Sequence, residues 1–153
     1  MKKLIILSAF LFSFLYVQSQ EYENSVGLRI GPSNGITLKH FFSTNDAVEG
    51  ILSIRYRGFN ITGLYERHQP IFDTDGMYFL YGVGGHIGFY DNHPWSDSPN
   101  SLTVIGIDGI LGLEYVFKEI PFNVSLDWKP GLNFVGYSGF WSDEVALSIR
   151  YIF

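Results

Sequence analysis

The C-terminal residues alternate: Val145, Leu147, Ile149, Tyr151 and Phe153 share one parity, and Glu144, Ala146, Ser148 and Arg150 share the other. A repeat of two puts successive side chains on opposite faces of a strand, so this segment predicts a strand with one apolar and one polar face. The pattern recurs from Phe122 to Phe134, where Val124, Leu126, Trp128 and Leu132 alternate with Asn123, Ser125, Asp127, Lys129, Gly131 and Asn133. It recurs again in Ile105–Phe117 and Phe79–Phe89, and more weakly in Phe59–Gln69, Val48–Arg57, Gly35–Phe42 and Ser25–Ile30. Turn-like separators lie between these runs: Ser33–Gly35, Ser43–Asp46, Arg57–Gly58, Asp73–Gly76, Asp91–Ser101, Lys118–Pro121 and Gly136–Ser142. The pattern therefore predicts an all-β, eight-stranded antiparallel up-and-down barrel over about 24–153, with no helical period competing.

The two faces decide what kind of barrel this is. The polar parity carries the charges together with Gly27, Gly82, Gly84, Gly88, Gly106, Gly112 and Gly131, while the other parity is aliphatic and aromatic. A soluble barrel holds bulk inside and charge outside; this chain predicts the reverse, a membrane barrel with a narrow polar lumen. Arg29, Lys39, Arg55, Arg57, Lys129 and Arg150 balance Glu49, Glu66, Asp108, Glu114, Asp127 and Glu144 on that parity, with His86 among them in mid-strand. Enclosed charges need partners, so these thirteen residues are expected to form one ion network that plugs the lumen.

The remaining features place the chain. Lys2 and Lys3 precede an apolar run from Leu4 to Val17, and the chain then turns polar. That run is too short for a membrane-spanning helix and reads as a secretory signal peptide over residues 1–19, leaving 20–153 as the barrel domain. Its removal leaves eight basic against 15 acidic residues, a net charge near −7. This charge disfavours nucleic acid as a partner, and the absence of cysteine removes disulfides, thiolate metal sites and cysteine nucleophiles together. Aromatic side chains are expected at both rims, with Phe42, Phe79, Tyr115, Phe117, Phe122, Tyr151 and Phe153 toward the periplasm. Tyr56, Phe59, Phe89, Phe134, Tyr137 and Trp141 are expected at the opposite rim.

The ending Leu147-Ser-Ile149-Arg-Tyr151-Ile-Phe153 resembles the terminal signal read by the outer-membrane barrel assembly machinery. With the leader segment, it makes the chain similar to small eight-stranded outer-membrane barrels of the OmpX or OmpA-transmembrane-domain type. The stretch Phe117–Pro130 is similar to a turn and strand common in such barrels of Bacteroidota. The resemblance implies location in the outer membrane of a Gram-negative bacterium, contact with outer-membrane lipid and lipopolysaccharide, and insertion by the assembly machinery. It names no extracellular ligand.

Candidate chemistry is sparse. His86 shares its parity with Asp108, Ser125 and Asp127, which could form an acyl-transfer site, but polar groups in a filled lumen must meet without catalysis. The outward parity near His40 lacks a matched serine and carboxylate, and His93-Pro-Trp-Ser96 lies in a loop. His68, His86 and His93 show no metal-ligand spacing, and Gly82-Val-Gly84-Gly85 lies within a strand rather than at a nucleotide-binding turn. The expectation is a non-enzymatic protein without cofactor or metal that presents the loops Asp91–Ser101 and Gly136–Ser142. A lipid- or lipopolysaccharide-modifying enzyme and a narrow pore are the alternatives.

Overall fold

The computed structural model describes residues 23–55, 57–91, 101–136 and 138–153. The leader segment, Tyr56, His93, Trp95, Asp97 and Tyr137 therefore lie outside the described residues. Ten strand segments build the molecule: β1 (Asn24–Ile30), β2 (Asn34–Phe41), β3 (Asp46–Arg55), β4 (Gly58–Pro70), β5 (Met77–Tyr90), β6 (Leu102–Val116), β7 (Phe122–Trp128), β8 (Gly131–Val135), β9 (Gly139–Trp141) and β10 (Val145–Ile152). They make eight staves, because β7 and β8 both pair with β6 and together form the seventh, while β9 and β10 form the eighth. Every pairing is antiparallel, and β1 against β10 closes the barrel. Closure leaves no long free edge, which is how up-and-down barrels avoid edge-to-edge association.

The alternation survives the interruptions. Pro130 has no N–H to give to a ladder, so the seventh stave breaks there, yet Gly109 N still donates to Pro130 O at 2.9 Å and Lys129 N to Glu144 O at 2.8 Å. Lys129 and Gly131 both remain buried on the inner side while Trp128 and Leu132 stay outside. Parity is thus conserved from Phe122 to Phe134, with a register shift only at Ile105/Gly106.

The termini of the barrel meet at one end, where Phe153 N donates to Asn24 O and Ile152 N to Pro121 O, both at 2.9 Å. The turns following β2, β5's predecessor β4, and β6 lie at this same end. In the turn between β4 and β5, Gly76 has φ +90°, and a Cβ there would lie 2.5 Å from Val116 O, so glycine is required. One expectation fails at the opposite end: residues 139–141 of the Gly136–Ser142 loop form β9, paired to β8. Three residues suffice because they extend an existing ladder.

Inside, the only apolar cluster of buried residues described is Ile51, Leu64, Leu80 and Ile110. The rest of the buried interior is mainly polar. Arg29, Lys39, Glu49, Glu66, Glu114 and Arg150 are among the largest fully buried side chains. The outer wall carries the exposed apolar residues, including Leu28, Ile36, Ile61, Val83, Ile107, Leu126 and Ile149.

Candidate functional site: the charged lumen

The expected single ion network is divided into two clusters by contact, because the ion pairs of Lys39 and Arg150 and those of Arg29 and Lys129 share no carboxylate. Nearer the termini, Lys39 from β2 reaches across the lumen to three carboxylates, with Nζ 2.8 Å from Glu66 Oε2, 3.0 Å from Glu114 Oε2 and 3.7 Å from Glu49 Oε2. Arg150 from β10 places Nη2 2.5 Å from Glu49 Oε1 and Nη1 3.5 Å from Glu114 Oε2, and donates to Ser125 Oγ at 2.8 Å. Thr37 donates its hydroxyl to Glu49. His68 completes this group, its Nε2 3.7 Å from both Glu66 and Glu114. Strand geometry makes these meetings possible, since inward residues of facing staves are separated by about the reach of two long side chains in a barrel of this size.

Toward the other end, Arg29 forks onto Asp127, with its two terminal nitrogens 2.8 and 2.6 Å from the two carboxylate oxygens. This bidentate form is the strongest geometry for a guanidinium and a carboxylate. Glu144 accepts from Ser33 at 2.6 Å and lies 3.3 Å from Lys129 Nζ, which in turn lies 3.5 Å from Asp108. His86 bridges Asp108 Oδ2 at 2.8 Å and Asn133 Oδ1 at 2.7 Å, and Trp141 Nε1 donates to that same Asn133 oxygen at 3.1 Å. Arg55 stacks over the Trp141 ring at 5.2 Å and pairs with Asp143 at 2.6 Å. That hydrogen bond holds the half-exposed Asp143 carboxyl below its ordinary value.

Twelve of the thirteen expected lumen residues are therefore inside. Arg57 is the exception: it stands exposed in the turn after β3. The ladder ends at Arg55 paired with Gly58, so a parity count carried through the turn no longer describes which way a side chain points. This correction changes the balance, leaving five Lys and Arg residues against six carboxylates. The extra carboxylate belongs to the cluster nearer the termini, where Lys39 and Arg150 face Glu49, Glu66 and Glu114.

Trp141 is a second correction, because it turns over the lumen beside His86, with ring centroids 6.2 Å apart, rather than joining the outer girdle. Phe59 and Phe89 do pair on the outer wall at 5.1 Å, as do Phe122 and Tyr151 at 5.5 Å. The imagined Ser/His/Asp grouping does not assemble: His86 meets Asp108, but its other nitrogen faces Asn133, and Ser125 serves Arg150. His68 is not among the thirteen expected lumen residues although it shares its parity with Glu66, and the same alternation places it there. Leu147, Ile149, Tyr151 and Phe153 of the C-terminal motif all lie on the outward face of the last stave.

Comparison with solved structures finds the same architecture elsewhere. The crystal structure of the N-terminal beta-barrel domain of Pseudomonas aeruginosa OprF is similar to this chain with a TM-score of 0.69 and 15% sequence identity, covering 89% of this chain and 100% of that one. At that identity the likeness shows the shared eight-stranded barrel fold. No protein-family model matches the chain, and no curated protein does.

Proposed function

We propose that the chain is an integral outer-membrane β-barrel protein of a Gram-negative bacterium whose non-enzymatic role is to hold extracellular segments on a rigid frame, with a lumen blocked by its own side chains. One observation carries this reading, the inverted partition of the barrel. Leu28 is 60% exposed and Val83 66%, while Lys39 and Glu66 are both 0% exposed. Continuous apolar surface on this scale is unfavourable in water and expected against lipid. The blocked lumen is supported by the cross-lumen contacts of Lys39, Arg150 and Arg29, which fill an eight-stranded interior.

In this reading the leader segment directs export, the barrel termini face the periplasm, and the ends of β5 and β6 at Tyr90 and Leu102 face outside the cell. Lipid and lipopolysaccharide form its surroundings, and the C-terminal motif engages the assembly machinery. The test is extraction from isolated outer membranes followed by unheated and boiled gel electrophoresis, circular dichroism and planar-bilayer recording. Heat-dependent migration, β spectra and no stable conductance are expected. A water-soluble chain would defeat the membrane reading, and a large steady conductance would defeat the blocked lumen.

A further inference from the structure

The glycines of the barrel fall into two populations. At inward Gly27, Gly82 and Gly84 a Cβ would lie 1.9, 2.1 and 1.9 Å from a neighbouring strand's carbonyl oxygen, so close packing explains them. Outward Gly63 has nothing within 4 Å of such an atom, and at outward Gly109 the nearest is Pro130 Cγ at 3.8 Å. Packing within the chain does not require glycine at these sites, and a glycine inside a strand costs stability and commonly marks the close approach of something else.

Around Gly109 the outer wall is recessed into a groove of about 440 Å³, bounded by Tyr81, Val83, Leu111 and Pro130 and reaching Tyr65 and Arg67. Arg67 pairs across the ladder with Tyr81, and Tyr65 with Val83, whose other neighbour is Gly109. Arg67 thus lies toward the terminal end of the groove, three residues before β4 finishes at Pro70. Among the described strands it is the only Lys or Arg on the outer face, and its side chain is half exposed. Its cross-strand partner Asp46 ion-pairs with Nε at 3.7 Å without a hydrogen bond, the same carboxylate oxygen accepting from Tyr65 at 2.9 Å, so the two terminal nitrogens of the guanidinium remain for an anion. A planar guanidinium with free donors, flanked by two tyrosines at a membrane rim, suits a phosphate.

We propose that this groove holds one inner-leaflet glycerophospholipid in a fixed pose, its phosphate on Arg67 between Tyr65 and Tyr81 and one acyl chain lying over Gly109 against Leu111 and Pro130. The site rests on the outer-membrane reading with periplasmic termini. A second copy of the barrel fits less well, because Val83, 66% exposed, stands beside the recess and keeps a flat wall away from Gly109. A flexible acyl chain can enter it.

The full chain, purified in non-ionic detergent, would be titrated with 1-palmitoyl-2-oleoyl phosphatidylethanolamine and followed by native mass spectrometry, after insertion into vesicles of the same lipid is checked by heat-dependent migration. One lipid should remain per barrel under activation that strips the others. Gly109→Leu, which fills the recess, and Arg67→Gln should each reduce that fraction at least fivefold; Arg67→Lys should fall between. Gly50→Leu, at an outward glycine away from the groove, should match the parent, and all variants should retain the gel shift. Equal retention by Gly109→Leu and Arg67→Gln, or a dimer that Gly109→Leu abolishes, would overturn the site. A parent that inserts but retains no lipid overturns the site alone, whereas a parent that does not insert overturns the membrane reading with it.

Discussion

Replacing Arg150 with Met tests the lumen cluster most directly. The side chain is 1% exposed, and its guanidinium meets Glu49 at 2.5 Å and Glu114 at 3.5 Å. Met keeps most of the aliphatic stem and removes the charge, so the cluster passes from two cations against three carboxylates to one. A unit pair at 4 Å is worth about 4 kcal/mol at an effective dielectric near 20. Losing two such contacts is partly offset by the relief of guanidinium desolvation and by proton uptake on a stranded carboxylate. The net cost expected for breaking a buried pair is about 3–5 kcal/mol. Urea unfolding in detergent micelles, followed by tryptophan fluorescence and by gel migration, measures it. Adding Glu49→Gln removes the stranded partner, so the double variant should recover about 2 kcal/mol or more relative to the sum of the singles. A single variant costing under about 1 kcal/mol, or strict additivity, would refute a mutually dependent cluster.

Other expectations follow from the same geometry. Arg placed at outward Leu111 or Leu126 should cost about 2–4 kcal/mol in bilayers if these sites lie near mid-membrane, and equilibrium unfolding in vesicles would show a negligible cost if they do not. Asp143→Asn should cost under about 1 kcal/mol near neutrality, since this pair is half exposed. Because the folded carboxyl titrates below its unfolded value, that contribution is present above about pH 4 and disappears as pH falls through the folded value, so parent and variant unfolding curves should converge in acid. Cysteine at Asp91 should react with an impermeant maleimide on whole cells and cysteine at Glu119 should not; the opposite pattern would invert the barrel. Gly84→Ala should block folding or cost several times more than Gly63→Ala, and equal costs in a refolding assay would contradict the packing difference between their two faces.

Alternation made the eight staves readable because parity is a local property that each ladder reproduces. It also survived the Lys129-Pro130 break, where the missing N–H interrupts hydrogen bonding without slipping a residue to the other face. Parity failed where the ladder itself stopped. Arg57 looked inward by count, but it lies two residues past the end of β3 and is exposed. Trp141 looked like a rim aromatic because nothing in its neighbourhood announces a short strand, and only the pairing of β9 with β8 brings it over His86. The candidate site was readable as a set of residues and unreadable as a set of pairs. Which cation meets which carboxylate depends on stagger between staves distant in sequence, as when Arg150 meets Glu49 from the other side of the chain.

Three glycines of the lumen, Gly106, Gly112 and Gly131, act together with its charges. An eight-stranded interior has a fixed cross-section, so polar side chains projecting into it require small residues beside them on the neighbouring staves. Gly106 and Gly112 of β6 and Gly131 of β8 are three such residues, each beside a polar lumen side chain. A Cβ at Gly106 would lie 2.4 Å from Leu132 O, 2.6 Å from the His86 ring and 2.9 Å from Asn133 Oδ1, and one at Gly112 would lie 2.6 Å from Asp127 Cβ and 2.7 Å from Leu126 O. A Cβ at Gly131 would lie 2.6 Å from Asp108 Oδ1. Enlarging Gly106, Gly112 or Gly131 crowds Asn133, Asp127 or Asp108, the residues that accept from or pair with His86, Arg29 and Lys129, and a displaced partner leaves a buried charge or imidazole unsatisfied. The absence of side chains at Gly106, Gly112 and Gly131 is therefore part of what leaves Asn133, Asp127 and Asp108 room to meet His86, Arg29 and Lys129, and these contacts offset part of the cost of desolvating the groups.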